Sequence, residues 1–396
     1  MATQRPASPG MKKSVALSDE SMNSKQQTQT LIWLDQLKAG LWDFLNDMQA
    51  DNCSYFNYSK SGDLYSRTSG WGLANIVFAL RVLFVTGLID RLSPRQKDNL
   101  YQGIIEHSKP DGYINDSLIT SRTLREKLRQ LYSQIRNGTT SAFSKNEILK
   151  TRRAETRQSF AALHLLGRTP LIPLVEIPSS KREVHAYLEG LDWSKPWAAA
   201  SHFSHLLFFL RMNSEFFPSV SNGTGESLIS YAVDWINGIQ HEKDGCWYVG
   251  ETVPLYQSIN GAMKVLNGMH VAKIEEIRFV RSLIDTALSA VNDEHACNHF
   301  NLTYVLYGAT RIEKDYRFGE IERFLLDRLS MYRDYYWPDH GGFSFHKGLA
   351  NDSFYGKKIT RGFPEPDIHG TAMFVWGIAL IDTILHLGLG WKVPLN

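Results

Sequence analysis

Between Trp337 and Ile381 the sequence reads WPDHGGFSFHKGLANDSFYGKKITRGFPEPDIHGTAMFVWGIALI, and Glu365, Asp367 and His369 stand together just before its apolar run. General acid catalysis needs a group that holds a proton beside the substrate and releases it in the transition state, work often done by carboxyl and imidazole side chains. Asp367 is the candidate acid, with His369 and Glu365 to orient it. An imidazolium beside a carboxyl lowers its pKa, which makes a stronger acid that is mostly deprotonated at rest unless burial keeps the proton on. His340, His346 and Tyr355 add polar groups for a substrate, and Lys358 and Arg361 suit an anionic head such as a diphosphate or carboxylate. Asn298 and His299, at the start of an earlier apolar run, could join them.

Each of these residues also has a plainer reading. Asp367 is well suited to cap the helix that follows it. His369 can be a hydrogen-bonded core histidine, Asn298 and His299 can be cap residues, and Lys357, Lys358 and Arg361 can form a solvated loop. Arg152, Arg153 and Arg157 read as the edge of a charged insert. The cluster weighs more than its members, because a loop of roughly thirty residues between helices is long for a compact domain. Its Phe, Tyr, Gly and His content is unlike a disordered linker, so a lid or site wall is expected.

The elements that must position this loop are helices. Leu34, Leu37, Leu41 and Leu45 give residues 31–48 a one-faced helical period. Residues 71–88, WGLANIVFALRVLFVTGL, are apolar nearly all round and therefore belong inside something. The alternation repeats. Ser93-Pro94 opens a helix to His107, and a charged insert, 122–153, precedes an apolar helix over 156–166. Further pairs are expected at 181–188 with 201–211, 226–240 with 255–269, 274–291 with 296–307, and 318–333 with the helix after Asp367. Recurring pairs of an amphipathic and an apolar helix are the pattern of a helical repeat closed into a ring. The expected fold class is thus all-α, an α/α toroid of about six helical hairpins in an inner and an outer ring, with the site over the mouth of its central cavity.

The chain has 396 residues, 43% hydrophobic and 12% aromatic, enough for a large core, and the repeat favours one domain over 27–396. The first 26 residues are Ser, Lys and Gln rich without the apolar core of a signal peptide, and read as a disordered tail. A net charge of +2 is too balanced for nucleic acid as the main partner. Three cysteines, Cys53, Cys246 and Cys297, suggest reduced thiols and a cytoplasmic setting. The longest apolar run, 371–389, is broken by Asp382 and His386, so a buried helix is expected rather than a membrane span, with peripheral membrane contact left open.

WINGIQHEKDGCW, residues 235–247, resembles the Gln…Gly-x-Trp repeat of the squalene-cyclase-like enzymes, and PDGYI (110–114) and GGFSF (341–345) resemble its siblings. DIHGTAM (367–373) is similar to the acidic segment that opens an inner helix in class II terpenoid cyclases and, less closely, to the Asp-x-x-His-Thr segment of protein prenyltransferase β subunits. The resemblance covers about residues 30 to 390 as a repeat pattern. It implies an α/α toroid enzyme acting on an isoprenoid or similar amphiphile by acid catalysis, with Trp71, Trp247 and Phe343 lining the cavity. The segment here carries one acid where those cyclases have several, and the chain has no DDxxD segment. Asp244 and Cys246 resemble the Asp-x-Cys zinc pair of the prenyltransferases, with His369 as a third ligand; otherwise no cofactor is expected.

Without the family, the same Asp-Gly turns supply a residue at positive φ followed by an aromatic wedge, as at Tyr113, Trp247 and Phe343. Aromatic faces at the mouth would also stack a sugar or stabilise a cation. Asp244 is also expected among the substrate-binding residues. Two other functions fit the pattern. One is a carbohydrate-active toroid, a glycoside hydrolase or polysaccharide lyase using the same loop, whose polar groups suit a glycan well. The other is a non-catalytic toroid that binds a partner across its mouth.

Overall fold

The structure is a computed structural model that describes residues 30–121, 145–221 and 223–394. The expected tail over 1–26 and residues 122–144 of the charged insert lie outside the described residues. The described chain is all-α, with three two-stranded antiparallel sheets in its connections: β1 (Gln49–Ala50) with β2 (Tyr55–Phe56), β3 (Tyr336–Trp337) with β4 (Gly342–Phe343), and β5 (Ser353–Phe354) with β6 (Lys357–Lys358).

One set of helices is apolar on one face. It comprises α1 (residues 30–48), α3 (Pro94–Ile105), α5 (Lys181–Glu189), α7 (Gly225–Asn237), α9 (Val280–Ser289) and α11 (Phe318–Arg333). In α1 the periodic leucines Leu34, Leu37, Leu41 and Leu45 are buried, as their spacing predicts. Helix α3 begins with the expected cap: the Ser93 hydroxyl accepts from Gln96 N–H, the Gln96 side chain accepts from Ser93 N–H, and Pro94 fills the first turn.

The second set is buried on most sides: α2 (Leu73–Val85), α4 (Lys145–Leu165), α6 (Pro196–Phe216), α8 (Leu255–Val271), α10 (Ala296–Thr310) and α12 (Ile368–Leu385). In α2 and α12 nearly every side chain is buried, and each fully buried Ile or Phe contributes about 1.5–3 kcal/mol by leaving water. Helix α12 is long and apolar enough to cross a membrane, but 83% of that stretch is buried inside the protein. Helix α4 starts earlier than the sequence suggests. Residues 145–153 continue the helix instead of belonging to the insert, because Arg152 and Arg153 find partners at Asp111 and the Glu176 carbonyl along its side. Helix α6 likewise runs from Pro196, and α9 begins only at Val280.

These six helices pack in a fixed order: α2 on α4, α4 on α6, α6 on α8, α8 on α10, α10 on α12, and α12 back on α2. The one-faced helices flank them, with α3 on α2, α7 on α6, α9 on α10 and α11 on α12.

The Gly-aromatic turns share one construction. Ser108 bridges Ile114, Gln240 bridges Trp247, and Trp337 pairs with Gly342. In each turn a glycine takes positive φ: Gly112 at 86°, Gly245 at 70° and Gly341 at 73°. A Cβ on Gly341 would lie 2.0 Å from the Gly40 carbonyl oxygen of α1, so only glycine lets the two backbones meet.

Candidate functional site

A cavity of about 470 Å³ lies among the six buried helices, and every one of them supplies wall. Phe78 and Arg81 come from α2, Arg157 and Gln158 from α4, Trp197 from α6, and Met263, Lys264 and Asn267 from α8. Cys297, Phe300 and Asn301 come from α10, after His295 at its start, and His369, Met373 and Trp376 from α12. The long loop before α12 closes one side with Phe345, His346, Asn351, Ser353, Phe354 and Tyr355. A volume of this size is that of a small-molecule site.

The wall combines aromatic faces with three cations. Arg81 lies over the Trp376 ring, 4.7 Å from its centroid, a cation–π contact that also fixes the guanidinium. Arg157 donates to Asn267 Oδ1 across from α4 to α8. Burial lowers the pKa of the Lys264 ammonium to about 8, and Arg157 and Arg81 pull it the same way. Arg81 and Arg157 are also held below the ordinary guanidinium value by burial, and Arg81 further by Arg157. Like charges gathered in a desolvated space repel one another, and an anion that entered would relieve all three. No Asp or Glu lines this cavity among the described residues.

His369 is the one expected catalytic residue that reaches the cavity. Its ring stacks on Phe78, with centroids 4.4 Å apart, and its Nδ1 is 2.9 Å from the Tyr58 hydroxyl. Its Nε2 is 3.7 Å from Cys297 Sγ. Burial, with Arg81 next, lowers its pKa to about 3, so the imidazole is neutral and supplies no imidazolium to sharpen Asp367. Burial also pushes the Cys297 thiol up to about 12 against the pull of Lys264 and Arg81.

Asp367 is placed elsewhere. It caps α12, accepting from Gly370 N–H at 2.8 Å, and also accepts from Phe345 N–H at 2.7 Å and Asn351 N–H at 3.0 Å. Burial pushes its carboxyl up to about 7 against those amides. It is fully buried and does not line the cavity wall, an arrangement that fits the helix-cap reading. Glu365 accepts from the Ser61 hydroxyl and is likewise outside the wall.

Of the expected substrate residues, His346 and Tyr355 line the cavity. Trp71 does not: it is buried and donates from Nε1 to Asp63 at 2.6 Å. Trp247 and Phe343 are the buried wedges of their turns. His299 is a core histidine, with Nε2 3.2 Å from the Tyr335 hydroxyl and Nδ1 3.1 Å from Arg328, and burial lowers its pKa to about 3. Asn298 is buried beside it, outside the wall. His340 sits by Trp337 in the β3–β4 turn. Lys358 is exposed and pairs with Asp352, and exposed Arg361 lies over Phe363, so the expected anion grip does not face the cavity.

Asp244 and Cys246 do not meet His369. The Asp244 carboxylate is taken up inside its own turn by Cys246 N–H and the Tyr248 hydroxyl, while His369 stands on the cavity wall with Cys297. No group of three His, Cys, Asp or Glu side chains among the described residues is arranged to hold a metal ion, so the residues proposed for zinc do not fit one.

Comparison with protein-family models, curated proteins and solved structures finds no match to this chain. Sequence reading missed Arg81, Arg157 and Lys264. Arg81 carries a usable signal, as the one charged residue inside the run 73–85, which is apolar apart from Asn75. Arg157 was hidden among the arginines assigned to the insert edge, and Lys264 has no such signal.

Proposed function

We propose that the chain is an α/α toroid enzyme whose central cavity takes an amphiphile with an anionic head, an isoprenoid phosphate or diphosphate being the class that suits it best. The closed order of helix contacts from α2 to α12 and back supports the toroid. The observation that carries the ligand class is a cavity with Arg81, Arg157 and Lys264 on walls otherwise rich in aromatic faces, among them Phe78, Trp197, Phe300, Phe354 and Trp376. The cations suit the head, and the rings suit an apolar tail or a carbocation developing along it. Any proton needed would come from a group on that wall and not from Asp367.

A second reading is a polysaccharide lyase. The observation that favours it is the neutral His369 imidazole on one wall with the Asn351 amide and the Tyr355 hydroxyl, near cations that would neutralise a uronate. A glycoside hydrolase is less suited, because it needs a carboxylate pair and the described wall has none.

The test is calorimetric binding and product analysis by mass spectrometry with farnesyl diphosphate, geranylgeranyl diphosphate and an oligouronate, on wild type and Arg157→Gln. Binding of a prenyl diphosphate that weakens in Arg157→Gln supports the first reading. Unsaturated oligosaccharide products move the protein to the lyase class. Binding of none of the three defeats both.

A further inference from the structure

We propose that Lys264 is an amine nucleophile that forms an imine with a carbonyl compound bearing an anionic group, held beside it by Arg81 and Arg157. The proposal rests on the anion-binding part of the reading above and not on the isoprenoid class. Lys264 stands half-buried on the wall of a cavity of about 470 Å³ that is open to solvent on one side. Arg157, reaching over from α4, hydrogen-bonds Asn267, one turn along α8 from Lys264, so its guanidinium lies next to the lysine's stretch of wall. Among the described residues Lys264 has no salt-bridge or hydrogen-bond partner, and no carboxylate lines the cavity to supply one.

Lysine becomes a nucleophile when a desolvated pocket and neighbouring cations make the free amine accessible near neutral pH. Both conditions hold here, since burial and then Arg157 depress the ammonium pKa to about 8. Before an anion binds, such a lysine has at pH 7 roughly a two-hundredfold greater share of free amine than one in water. The arginines add selectivity, because they hold a phosphate or carboxylate on the same molecule and so present its carbonyl to the amine.

The chemistry balances without a further reagent. The Nζ lone pair adds to the carbonyl carbon and the carbonyl π pair moves to oxygen, which takes one proton from the nitrogen to give a carbinolamine; the second N–H proton then passes to that oxygen, which leaves as water while the nitrogen pair forms C=N. The imine draws electrons from the carbon next to it, so the substrate class is an aldehyde or ketone with an anionic group whose α-carbon is to be deprotonated or cleaved.

The probe is pyridoxal 5′-phosphate, an aromatic aldehyde with a phosphate, added to the full chain, reduced with borohydride and mapped by peptide mass spectrometry. The expected result is one dominant adduct at Lys264 that is competed away by pyridoxine 5′-phosphate, the alcohol that cannot form an imine. The adduct should vanish in Lys264→Arg and Lys264→Met, with melting curves checking that both fold. Calorimetry with pyridoxine 5′-phosphate on wild type and Arg157→Gln reads the anion site alone. Binding of the alcohol that weakens in Arg157→Gln, with no Lys264 adduct from the aldehyde, overturns the amine role and leaves the anion site standing. Adducts spread evenly over surface lysines overturn it too, and absence of binding by the alcohol removes both.

Discussion

The Asp367 carboxylate accepts the backbone N–H of Phe345 at 2.7 Å, and so ties the first turn of α12 to the loop that walls the cavity. The same carboxylate holds Asn351 N–H and Gly370 N–H, so one side chain fixes three backbone segments. Replacing it by Ala leaves those buried donors unpaired at about 1–3 kcal/mol each. Asp367→Ala should therefore lower stability by several kcal/mol, roughly 3 or more, read as a fall in denaturation midpoint. Asp367→Asn, which keeps one acceptor oxygen, should lose less. If either variant kept wild-type stability and lost only turnover, Asp367 would return as the acid.

Removing one cavity cation should weaken anion binding without unfolding the chain. Arg157→Gln is expected to cost about 1.5–3 kcal/mol of affinity for a diphosphate, roughly tenfold to a hundredfold, measured by calorimetry. The same substitution at exposed Arg361 should change affinity by less than about twofold, as expected of a solvated charge.

The pH dependence of anion binding follows from Lys264. Its free-state pKa is lowered to about 8, and a bound anion raises it again. Below pH 8 the lysine is charged before and after binding, so the affinity contributed by this group is flat. Above pH 8 a proton must be taken up on binding, and affinity should fall by up to about tenfold per pH unit until the bound-state pKa is passed. A titration of binding from pH 6 to 10 checks this, and a flat profile in Lys264→Met identifies the group.

Gly341 should not tolerate a side chain. It holds φ at 73°, and a Cβ there would meet the Gly40 carbonyl oxygen at 2.0 Å. Gly341→Ala should destabilise by about 2–4 kcal/mol, since it adds left-handed strain to a backbone clash. Gly348→Ala is the control: Gly348 has a similar φ of 74° but open space around it, and should cost only the strain.

The thiols should differ in access. Cys297 lines the cavity and Cys246 is fully buried in its turn. Slow alkylation at Cys297, protected by a bound anion, with Cys246 unmodified until the chain unfolds, is the expected pattern in peptide mapping. The slowness follows from a thiol pushed up to about 12.

Some of this was legible in the sequence and some was not, for physical reasons. Helices α2 and α12 announce their burial because nearly every residue is apolar, and the Gly-aromatic turns announce themselves because only glycine accepts their φ. Asp367 was legible as important, but cap and acid use the same residue type at the same helix position. The choice between them depends on where Phe345 and Asn351 place their amides, which no local pattern encodes. Arg157 lies one turn beyond Arg153 on α4, yet Arg153 reaches the Glu176 carbonyl while Arg157 faces the cavity. That difference is set by which helices pack against α4, and for the same reason no local pattern shows that Lys358 and Arg361 stand outside the cavity wall. Each lies on a polar loop as the sequence says, but on the side turned away.

The packing of α12 against α2 has a kinetic side. The two helices are roughly 280 residues apart in sequence, so their contact is among the most distant the chain makes, and bringing them together costs entropy that neighbouring pairs do not pay. Adjacent pairs can form early and locally, whereas this last seam can close only after everything between has found its place. Refolding should then pass through a partly assembled species with α2 and α12 unjoined, exposing two of the most apolar surfaces in the molecule. The aggregation risk of this protein is therefore concentrated in one late step, and a ligand that bridges Arg81 of α2 to the opposite wall would speed the seal and act as a folding template.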